Sequence, residues 1–263
     1  MHTLRLIVDP PLTGPENMAR DDALLNLVGV ADSPPTLRFY RWDPATISLG
    51  YFQPYADYAA LPVPAGGLSV VRRITGGGAI LHDLEVTYSI ALPAGHEWLR
   101  PNPNRLYELM HDVVINAIGS MAVKYGEWGR RTGAAAPMAC GESAQRGPFF
   151  CFVRRHALDV VVVSLDSPDT CEKIAGSAQR RTRLAVLQHG SIILDSRYPQ
   201  QPCATWRSLG GPADAETAIG RLCSAAGEVL HSTLEPGTWS DEERTRSAVV
   251  RTQYAGDAWT RRR

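Results

Sequence analysis

The amino-acid sequence predicts an α+β fold, with mixed or antiparallel sheets flanked by helices. Strand-like segments follow one another in runs, helical segments occur at intervals, and no regular β-α-β alternation indicates a parallel sheet. The chain has 263 residues, of which 44% are hydrophobic. It can therefore bury a core for one large domain or two small ones without disulfide bonds.

The first elements are a short strand and a capped helix. The segment L-R-L-I-V is typical of a strand. Thr13 and Glu16, three residues apart, form a capping-box signature that predicts a helix over residues 14–28. We expect Asp21 and Asp22 on this helix to reach solvent or a basic loop. The apolar face of the helix consists of Met18, Leu24, Leu25 and Val28.

Strand-like segments dominate the next part of the chain. Residues 36–51 are rich in aromatic and β-branched side chains and are interrupted by Asp43-Pro44, which predicts two strands joined at a turn. Residues 68–73 predict another strand. Residues 85–92 predict a fourth, because two sets of side chains alternate along them.

The second half continues with one helix, a loop and more strands. Asn104 is a favourable N-cap for a helix. Residues 132–148 are rich in Gly, Ala and Pro and predict a loop. The residues buried at helical spacing are expected to be Leu106, Leu109, Met110, Val113, Val114, Ala117 and Met121. The expected strands are residues 158–165, 173–179 and 184–194.

The tail of the sequence predicts two helices, over residues 213–230 and 241–254. The second is opened by Ser240, with Glu243 three residues later. No internal repeat or low-complexity tract interrupts the sequence.

The composition disfavours several classes of protein. Basic and acidic residues both number 27, so the formal net charge is zero, which disfavours a general nucleic-acid binder. No apolar run approaches the roughly 20 residues of a bilayer span, and the N-terminal residues lack a signal-peptide pattern, so we expect no membrane association. The five cysteines form no C-x-x-C pair and have no histidine at metal-ligand spacing. They predict reduced thiols, no metal site and a cytoplasmic protein.

The first candidate motif is the glycine-rich segment between two predicted strands. Arg72 and Arg73 precede Thr75-Gly76-Gly77-Gly78-Ala79, and His82 follows. Three glycines let a backbone approach a ligand and direct N–H groups at a carbonyl, carboxylate or phosphate. The alternative is a plain hairpin loop, although such a loop needs fewer glycines.

The second motif is Lys173 followed by small residues at Gly176-Ser177-Ala178 and then Gln179, with His189-Gly190 ten residues on. A lysine beside small residues can hold its ammonium against a carbonyl oxygen. The alternative is a surface lysine, but lysine occurs at only one other position, Lys124. The third candidate is Cys151 in the segment F-F-C-F. This segment alone predicts a buried packing residue, and only a neighbouring cation would make the cysteine a usable thiolate.

Three segments, in this order and spacing, resemble the signatures of the lipoate–protein ligase and octanoyltransferase superfamily. They are RRITGGGAILHD, KIAGSAQRR and QHGSIIL. Further similar segments, NMARDDALL, TLRFYRWDPATISLGYFQ and QYAGDAW, extend the resemblance over nearly the whole chain. Biotin ligases share the fold but carry an arginine–glycine repeat in place of Thr75-Gly-Gly-Gly, so we do not expect biotin transfer. The resemblance implies a single biotin/lipoate-ligase-like catalytic domain over residues 1–263, completed by C-terminal helices in residues 195–263.

Octanoyltransferases of the LipM type carry a cysteine ahead of the lysine motif, and Cys151 lies 22 residues before Lys173. The resemblance therefore implies that Cys151 is the nucleophile and that Lys173 lies at the reacting carbonyl. His82 would shuttle a proton or hold the glycine loop, and His189 would be structural. The substrate-binding residues implied are Arg73, Thr75, Gly76, Gly77, Gly78, Ala79, His82, Gly176, Ser177, Ala178, Gln179, His189 and Gly190.

The implied reaction moves an octanoyl group from acyl carrier protein, through a cysteine thioester, to a lysine of a lipoyl domain such as the glycine-cleavage H protein. A thioester is already activated, so no cofactor is expected. We expect a monomer, and we expect basic clusters to dock these acidic partners unless the arginines are merely solvated. The clusters are Arg72-Arg73, Arg130-Arg131, Arg154-Arg155, and Arg180-Arg181 with Arg183.

Two alternatives remain at this point. An ATP-dependent lipoate–protein ligase would use ATP and Mg, with Lys173 gripping the acyl-adenylate and Cys151 simply buried. A catalytically idle module would bind the acyl group or its carrier protein without chemistry.

Overall fold

The structure, a computed structural model, describes residues 2–30, 33–126, 148–163, 171–212 and 214–263. In this part of the chain the strands are β1 (His2–Leu12), β2 (Thr36–Trp42), β3 (Thr46–Leu49), β4 (Ser69–Arg72), β5 (Ile80–His82), β6 (Glu85–Pro93), β7 (Val123–Tyr125), β8 (Val160–Val163), β9 (Cys171–Arg181), β10 (Ala185–Ile193) and β11 (Ser232–Pro236). The helices are α1 (Gly14–Leu27), α2 (Tyr55–Ala59), α3 (Arg105–Ile118), α4 (Ala215–Val229), α5 (Asp241–Ala255) and α6 (Asp257–Thr260).

The strands form one large and one small mixed sheet. The large sheet has the order β11-β1-β2-β6-β10-β9-β8-β7, and the small sheet has the order β4-β3-β5. In the large sheet β1 runs parallel to both of its neighbours, and the other neighbouring strands are antiparallel. The prediction of a mixed sheet flanked by helices is confirmed.

Two apolar layers cover the large sheet. One face packs against α3 and α4, with Leu106, Val113 and Leu222 among the buried residues. The other face packs against α1 and α5, together with Val71 and Ile74 of the glycine-motif segment. The small sheet has its own apolar cluster on this second side. The glycine-rich segment is therefore held over one face of the large sheet. No helix in the described ranges is long and apolar enough to cross a membrane.

The capping box predicted for α1 is confirmed. The Thr13 hydroxyl accepts from the Glu16 amide, and the Glu16 carboxylate accepts from the Thr13 amide. The expectation that Asp21 faces solvent or a basic loop is wrong, because its side chain is buried among partners from the sheet. Asp22 instead accepts hydrogen bonds from Tyr254 and Arg246 of α5.

The helix predicted after Asn104 is present, but both of its ends differ from the expectation. Asn104 occupies the N-cap position without a side-chain capping bond. The helix stops at Ile118 because Gly119 adopts a left-handed conformation, with φ of 67°. Met121, predicted to be buried, lies beyond this stop and is 88% exposed.

The two predicted C-terminal helices are confirmed as α4 and α5. The sequence did not predict β11 between them, nor the short strands β5 and β7. The two strands predicted over residues 36–51 exist as β2 and β3, but they belong to different sheets. The predicted loop over residues 132–148 lies outside the described residues except for Pro148, and so do Arg130, Arg131 and Cys140.

Candidate active site

A cavity lies between the glycine-rich segment and the large sheet. It encloses about 470 Å³, counting its open mouth. Its walls come from α1, β2, β3, β5, β6, β9 and β10 and from the segment around Cys151. Of the residues predicted from the sequence, it brings together Arg73, Gly77, His82, Cys151, Lys173, Gly176, Ser177, Ala178, His189 and Gly190.

The other predicted residues lie beside this cavity or behind its wall. Gly76, Gly78 and Gln179 line a neighbouring groove that also contacts Cys151 and Lys173. Thr75 and Ala79 act from behind the wall through hydrogen bonds described below. The three sequence motifs therefore converge on one place.

The Cys151 thiol is placed by the glycine segment itself. Cys151 begins a short 3₁₀ turn, Cys151–Val153. Its amide donates to the Ala79 carbonyl at 2.7 Å, and the Ala79 amide donates to the Phe149 carbonyl at 2.9 Å. A Cβ atom on Gly78 would lie 3.0 Å from both the Cys151 nitrogen and the Phe149 oxygen. Glycine at position 78 is thus needed for this close contact.

The Lys173 ammonium lies between a thiol and a carboxylate. Its Nζ atom is 3.5 Å from Cys151 Sγ and 2.9 Å from Asp159 Oδ1. The lysine side chain is 3% exposed and the aspartate side chain 9%, so the ion pair is nearly dry. Asp159 is itself fixed, because its Oδ2 accepts from the His156 amide at 2.8 Å. Asp159 was not among the predicted site residues.

A β-bulge directs the lysine into this position. Along β9, Val160 pairs with Ala175 while Val161 pairs with Lys173, which leaves Ile174 as an extra residue. The Lys173 side chain then passes over Gly176. A Cβ atom on Gly176 would lie only 2.2 Å from Lys173 Cε. The spacing K-x-x-G is therefore a packing requirement of the lysine.

Arg73 is a buried cation whose N–H groups all find oxygen partners. Nε donates to Thr75 Oγ1, Nη1 donates to the carbonyl and hydroxyl of Ser48, and Nη2 donates to the carbonyls of Gly76 and Gly78 at 2.7 Å. The side chain thus fixes the shape of the glycine loop. Burial lowers the pKa of Arg73 to about 10, and the neighbouring Cys151 opposes this shift.

Arg72 serves a second group of carbonyls. Its guanidinium donates to the carbonyls of Gly50 and Gln53, in the loop after β3, and to that of Thr260 of α6, at 2.7–3.1 Å. Both arginines are buried, with exposures of 0% and 2%. The prediction that the Arg72-Arg73 pair docks an acidic partner is therefore wrong. Their guanidinium groups satisfy carbonyl oxygens inside the fold.

His189 belongs to a buried chain that ends on Arg73. Its Nδ1 is 2.9 Å from Asp21 Oδ2, and its Nε2 is 2.7 Å from Thr75 Oγ1. Because the Asp21 carboxylate only accepts, we assign the ring proton to Nδ1; Nε2 then accepts from the Thr75 hydroxyl, whose oxygen accepts from Arg73. Arg38 donates to the other oxygen of Asp21 at 2.8 Å.

His82 forms a second chain of the same kind. Its Nδ1 is 2.8 Å from Glu85 Oε1, and its Nε2 is 2.8 Å from Ser48 Oγ. The Ser48 hydroxyl oxygen also accepts from Arg73, at 3.2 Å. Burial lowers the pKa of His82, so the ring is neutral at pH 7. Trp42 stacks on the ring with 3.8 Å between centroids.

In these two hydrogen-bonded networks, polar residues present their carbon atoms to the cavity. The hydroxyls of Ser48, Thr87 and Ser191 bond to His82 or Glu85. With their oxygens engaged behind the wall, their carbon atoms are left to contact a ligand. The sequence could not indicate this, because serine and threonine in a strand usually mark a solvent-facing side. The cavity therefore suits a hydrocarbon chain, although several of the residues that line it are polar.

The neighbouring groove extends from Cys151 and Lys173 along β9. It encloses about 1090 Å³ including its open side, and Tyr107 and His111 of α3 form its far wall. His111 is buried between the Leu158 carbonyl and the Ser177 hydroxyl, each at 2.5 Å. Burial lowers the pKa of this histidine to about 4. The cavity and the neighbouring groove thus meet at the Cys151 thiol.

The remaining predicted basic residues divide into two groups. Arg154 donates to the Pro148 carbonyl, and Arg155 donates to the carbonyls of Phe152 and Cys171, so both support the Cys151 turn. By contrast Arg180, Arg181 and Arg183 are exposed. Within the described ranges no group of three or more His, Cys, Asp or Glu side chains could hold a metal ion.

Comparison with known families gives one match that covers most of the chain. A model of the lipoyl protein ligase A/B catalytic domain matches residues 13–202. Octanoyltransferase LipM from Kyrpidia tusciae is 32% identical, and the alignment covers 100% of both chains. The protein of the same name from Brevibacillus brevis is 31% identical, again over 100% of both chains.

Solved structures with the same fold are lipoate ligases. The putative lipoate protein ligase Ta0514 from T. acidophilum superposes with a TM-score of 0.72 at 20% identity, over 100% of both chains. Lipoate-protein ligase A bound with ATP gives a TM-score of 0.67 at 20% identity, over 99% of both chains. At this level of identity the likeness concerns the fold.

Proposed function

The chain belongs to the lipoyl protein ligase A/B catalytic-domain family and is an octanoyltransferase of lipoate biosynthesis, and from this premise we propose that it works through a thioester on Cys151. The observation that carries the proposal is the 3.5 Å contact between Lys173 Nζ and Cys151 Sγ at the mouth of an apolar cavity. A neighbouring ammonium stabilises the thiolate, which is the reactive form of cysteine. If Cys151 were an inert packing residue, this contact with Lys173 would have no role in the reaction.

In the first half-reaction, the Cys151 thiolate attacks the thioester carbonyl of octanoyl-acyl carrier protein. A new carbon–sulfur bond forms, the bond to the carrier sulfur breaks, and the carrier leaves as a thiolate that takes a proton. Lys173 stabilises the oxyanion of the tetrahedral intermediate. Amides of the Gly76–Gly78 loop add to this, since in the described part of the chain they make no other hydrogen bond. The Cys151 amide cannot contribute because it donates to Ala79.

In the second half-reaction, a lysine amine of a lipoyl domain attacks the acyl-cysteine. The amide bond forms, the carbon–sulfur bond breaks, and the proton of the amine passes to the leaving sulfur. Exchange between thioesters is nearly balanced in free energy, while amide formation is downhill, so no nucleotide or metal is required. The octanoyl chain lies in the cavity during both steps, against the carbon atoms of Ser48, Thr87 and Ser191.

The wider setting of the reaction follows from the same chemistry. The acceptor is a lipoyl domain or a glycine-cleavage H protein. A thiol nucleophile must stay reduced, which favours the cytoplasm. We further propose that residues 1–263 form one catalytic domain, because β11 pairs with β1 and α5 packs against α1, and that this domain acts as a monomer.

The test is to incubate the protein with octanoyl-acyl carrier protein without ATP and to look for a thioester on Cys151 by mass spectrometry. We expect an acylated peptide that Cys151→Ala does not form, and transfer to a lipoyl domain that needs no nucleotide. Modification by Cys151→Ala only with ATP and free acid would establish an ATP-dependent ligase instead. Acyl transfer under neither condition would favour a binding module.

A further inference from the structure

We infer that Arg180, Arg262 and Arg263, arranged around Tyr51 and Phe52, form the docking surface for the acidic carrier protein that donates the acyl group. This inference rests on the proposed acyl-carrier donor. Of these residues only Arg180 belongs to a cluster predicted from the sequence. We call the five residues the arginine–aromatic surface.

Three distant segments meet at this surface. The Arg262 guanidinium carbon lies 3.8 Å from the centroid of the Tyr51 ring. Arg180 at the end of β9 lies over the same ring at 5.3 Å, and Arg263 lies over Phe52 at 5.3 Å. Stacking on rings limits the rotamers of long side chains and so lowers the entropy lost on binding. The cations are therefore pre-arranged for a partner.

The positive charge of this surface is not neutralised within the described residues. No ion pair there joins Arg180, Arg262 or Arg263 to a carboxylate, whereas Arg261 next to them pairs with Asp257 at 3.1 Å. The pKa of Tyr51 is lowered, first by a hydrogen bond to Arg262 and then by the positive charges of Arg262, Arg180 and Arg263. Guanidinium groups without a carboxylate partner, two of them on exposed arginines, suit an anionic partner.

The surface lies at the rim of the site. The Tyr51 amide donates to the Thr75 carbonyl at 2.8 Å. A Cβ atom on Gly50 would lie 2.0 Å from the Gly77 oxygen, so the loop that carries Tyr51 touches the glycine segment. On β9, Arg180 is three residues beyond Ser177, which lines both openings, a separation of about 10 Å.

This separation fits the acyl donor. A carrier protein bears its thioester on a long pantetheine arm, so it can dock beyond the mouth while the carbonyl reaches Cys151. The phosphate at the root of that arm is a further anion, and guanidinium groups bind phosphate in a bidentate geometry. An acceptor lysine has a shorter reach and must approach the thiol more directly.

The experiment compares donors with and without a carrier protein. The first half-reaction is followed as acylation of Cys151 by octanoyl-acyl carrier protein and, separately, by octanoyl-pantetheine, in the double variant Arg180→Glu/Arg263→Glu. We expect kcat/KM with the carrier protein to fall at least tenfold, mainly through KM, and the rate with octanoyl-pantetheine to stay within twofold of the parent. The charge-matched control is Arg207→Glu/Arg221→Glu, at two exposed arginines outside the arginine–aromatic surface, and it should change neither rate.

The outcomes separate this inference from the proposed function. Unchanged kcat/KM with the carrier protein would overturn the docking surface while leaving the thioester mechanism intact. Absence of acylation of the parent protein by both donors would instead overturn the proposed function. If the double variant accepts octanoyl groups normally but transfers them slowly from pre-acylated Cys151 to a lipoyl domain, the surface serves the acceptor and the inference is wrong.

Discussion

Replacing Lys173 with methionine removes the ammonium while keeping the length of the side chain. At the observed 3.5 Å from Cys151 Sγ, opposite unit charges attract by about 1 kcal/mol in water and about 5 kcal/mol at an effective dielectric constant of 20. Since about 1.4 kcal/mol corresponds to a factor of ten, we expect alkylation of the Cys151 sulfur at pH 7 to slow about tenfold or more. Acyl transfer should fall further, because the oxyanion loses the same charge.

A second variant separates this effect from loss of stability. In Lys173→Met the buried Asp159 carboxylate has no ammonium partner, and breaking a buried ion pair costs about 3–5 kcal/mol of folding free energy. Lys173→Met/Asp159→Asn removes both charges, and the amide oxygen of Asn still accepts from the His156 amide. We expect this double variant to regain most of the stability in urea denaturation but not the reactivity.

The assay is the rate of Cys151 alkylation by iodoacetamide at pH 7, measured by mass spectrometry, with the acyl-transfer rate recorded in parallel. The folded double variant should be slow in both. If it reacted with iodoacetamide and transferred octanoyl groups at the parent rates, the Lys173 charge would have no part in activating the thiol.

Three further predictions concern residues that support the site. Gly176→Ala should reduce transfer at least tenfold with little change in circular dichroism, because the new Cβ would displace the Lys173 side chain; parent-like activity would contradict this role. Thr75→Val should destabilise the protein by about 1–3 kcal/mol in urea, because Arg73 loses a buried acceptor, whereas Thr75→Ser should restore stability. His111 has its pKa lowered to about 4 in the folded protein, so the unfolded chain binds more protons below pH 6.5, and stability should fall as the pH falls from 6.5 towards 4. In His111→Leu this acid-sensitive loss should be smaller by up to about 3 kcal/mol, measured by denaturation at several pH values; an unchanged pH dependence would contradict the assignment.

Local signals in the sequence were sufficient for several elements. The Thr13 and Glu16 pair predicts where α1 begins, since both partners of a capping box lie within four residues. The glycine and lysine motifs predict the parts of the site that contact each other. Within each motif the residues must pack together locally, as the Lys173 side chain does over Gly176. The proximity of Cys151 to Lys173 was implied by the family resemblance, since F-F-C-F alone indicates only core packing.

What could not be predicted depends on contacts between distant parts of the chain. Asp21 lies in a polar stretch of helix that is typical of a solvent-facing side, yet its partner His189 lies 168 residues away. Arg72 and Arg73 resemble a basic docking pair until the carbonyls around them are known. β11 is short and lies between two clear helical patterns, so only its pairing with β1 identifies it as a strand.

The pairing of β1 with β11 has a consequence for synthesis of the protein. His2 lies opposite Ser232, so the edge of β1 stays uncovered until the chain has been synthesised as far as β11. The same holds for Arg72, which needs the Thr260 carbonyl. A nascent chain therefore contains Cys151 and Lys173 before the sheet and the glycine segment around them can be completed. Folding of this kind, governed by contacts of high sequence separation, is intrinsically slow, and until β11 pairs, the edge of β1 is open to pairing with another chain.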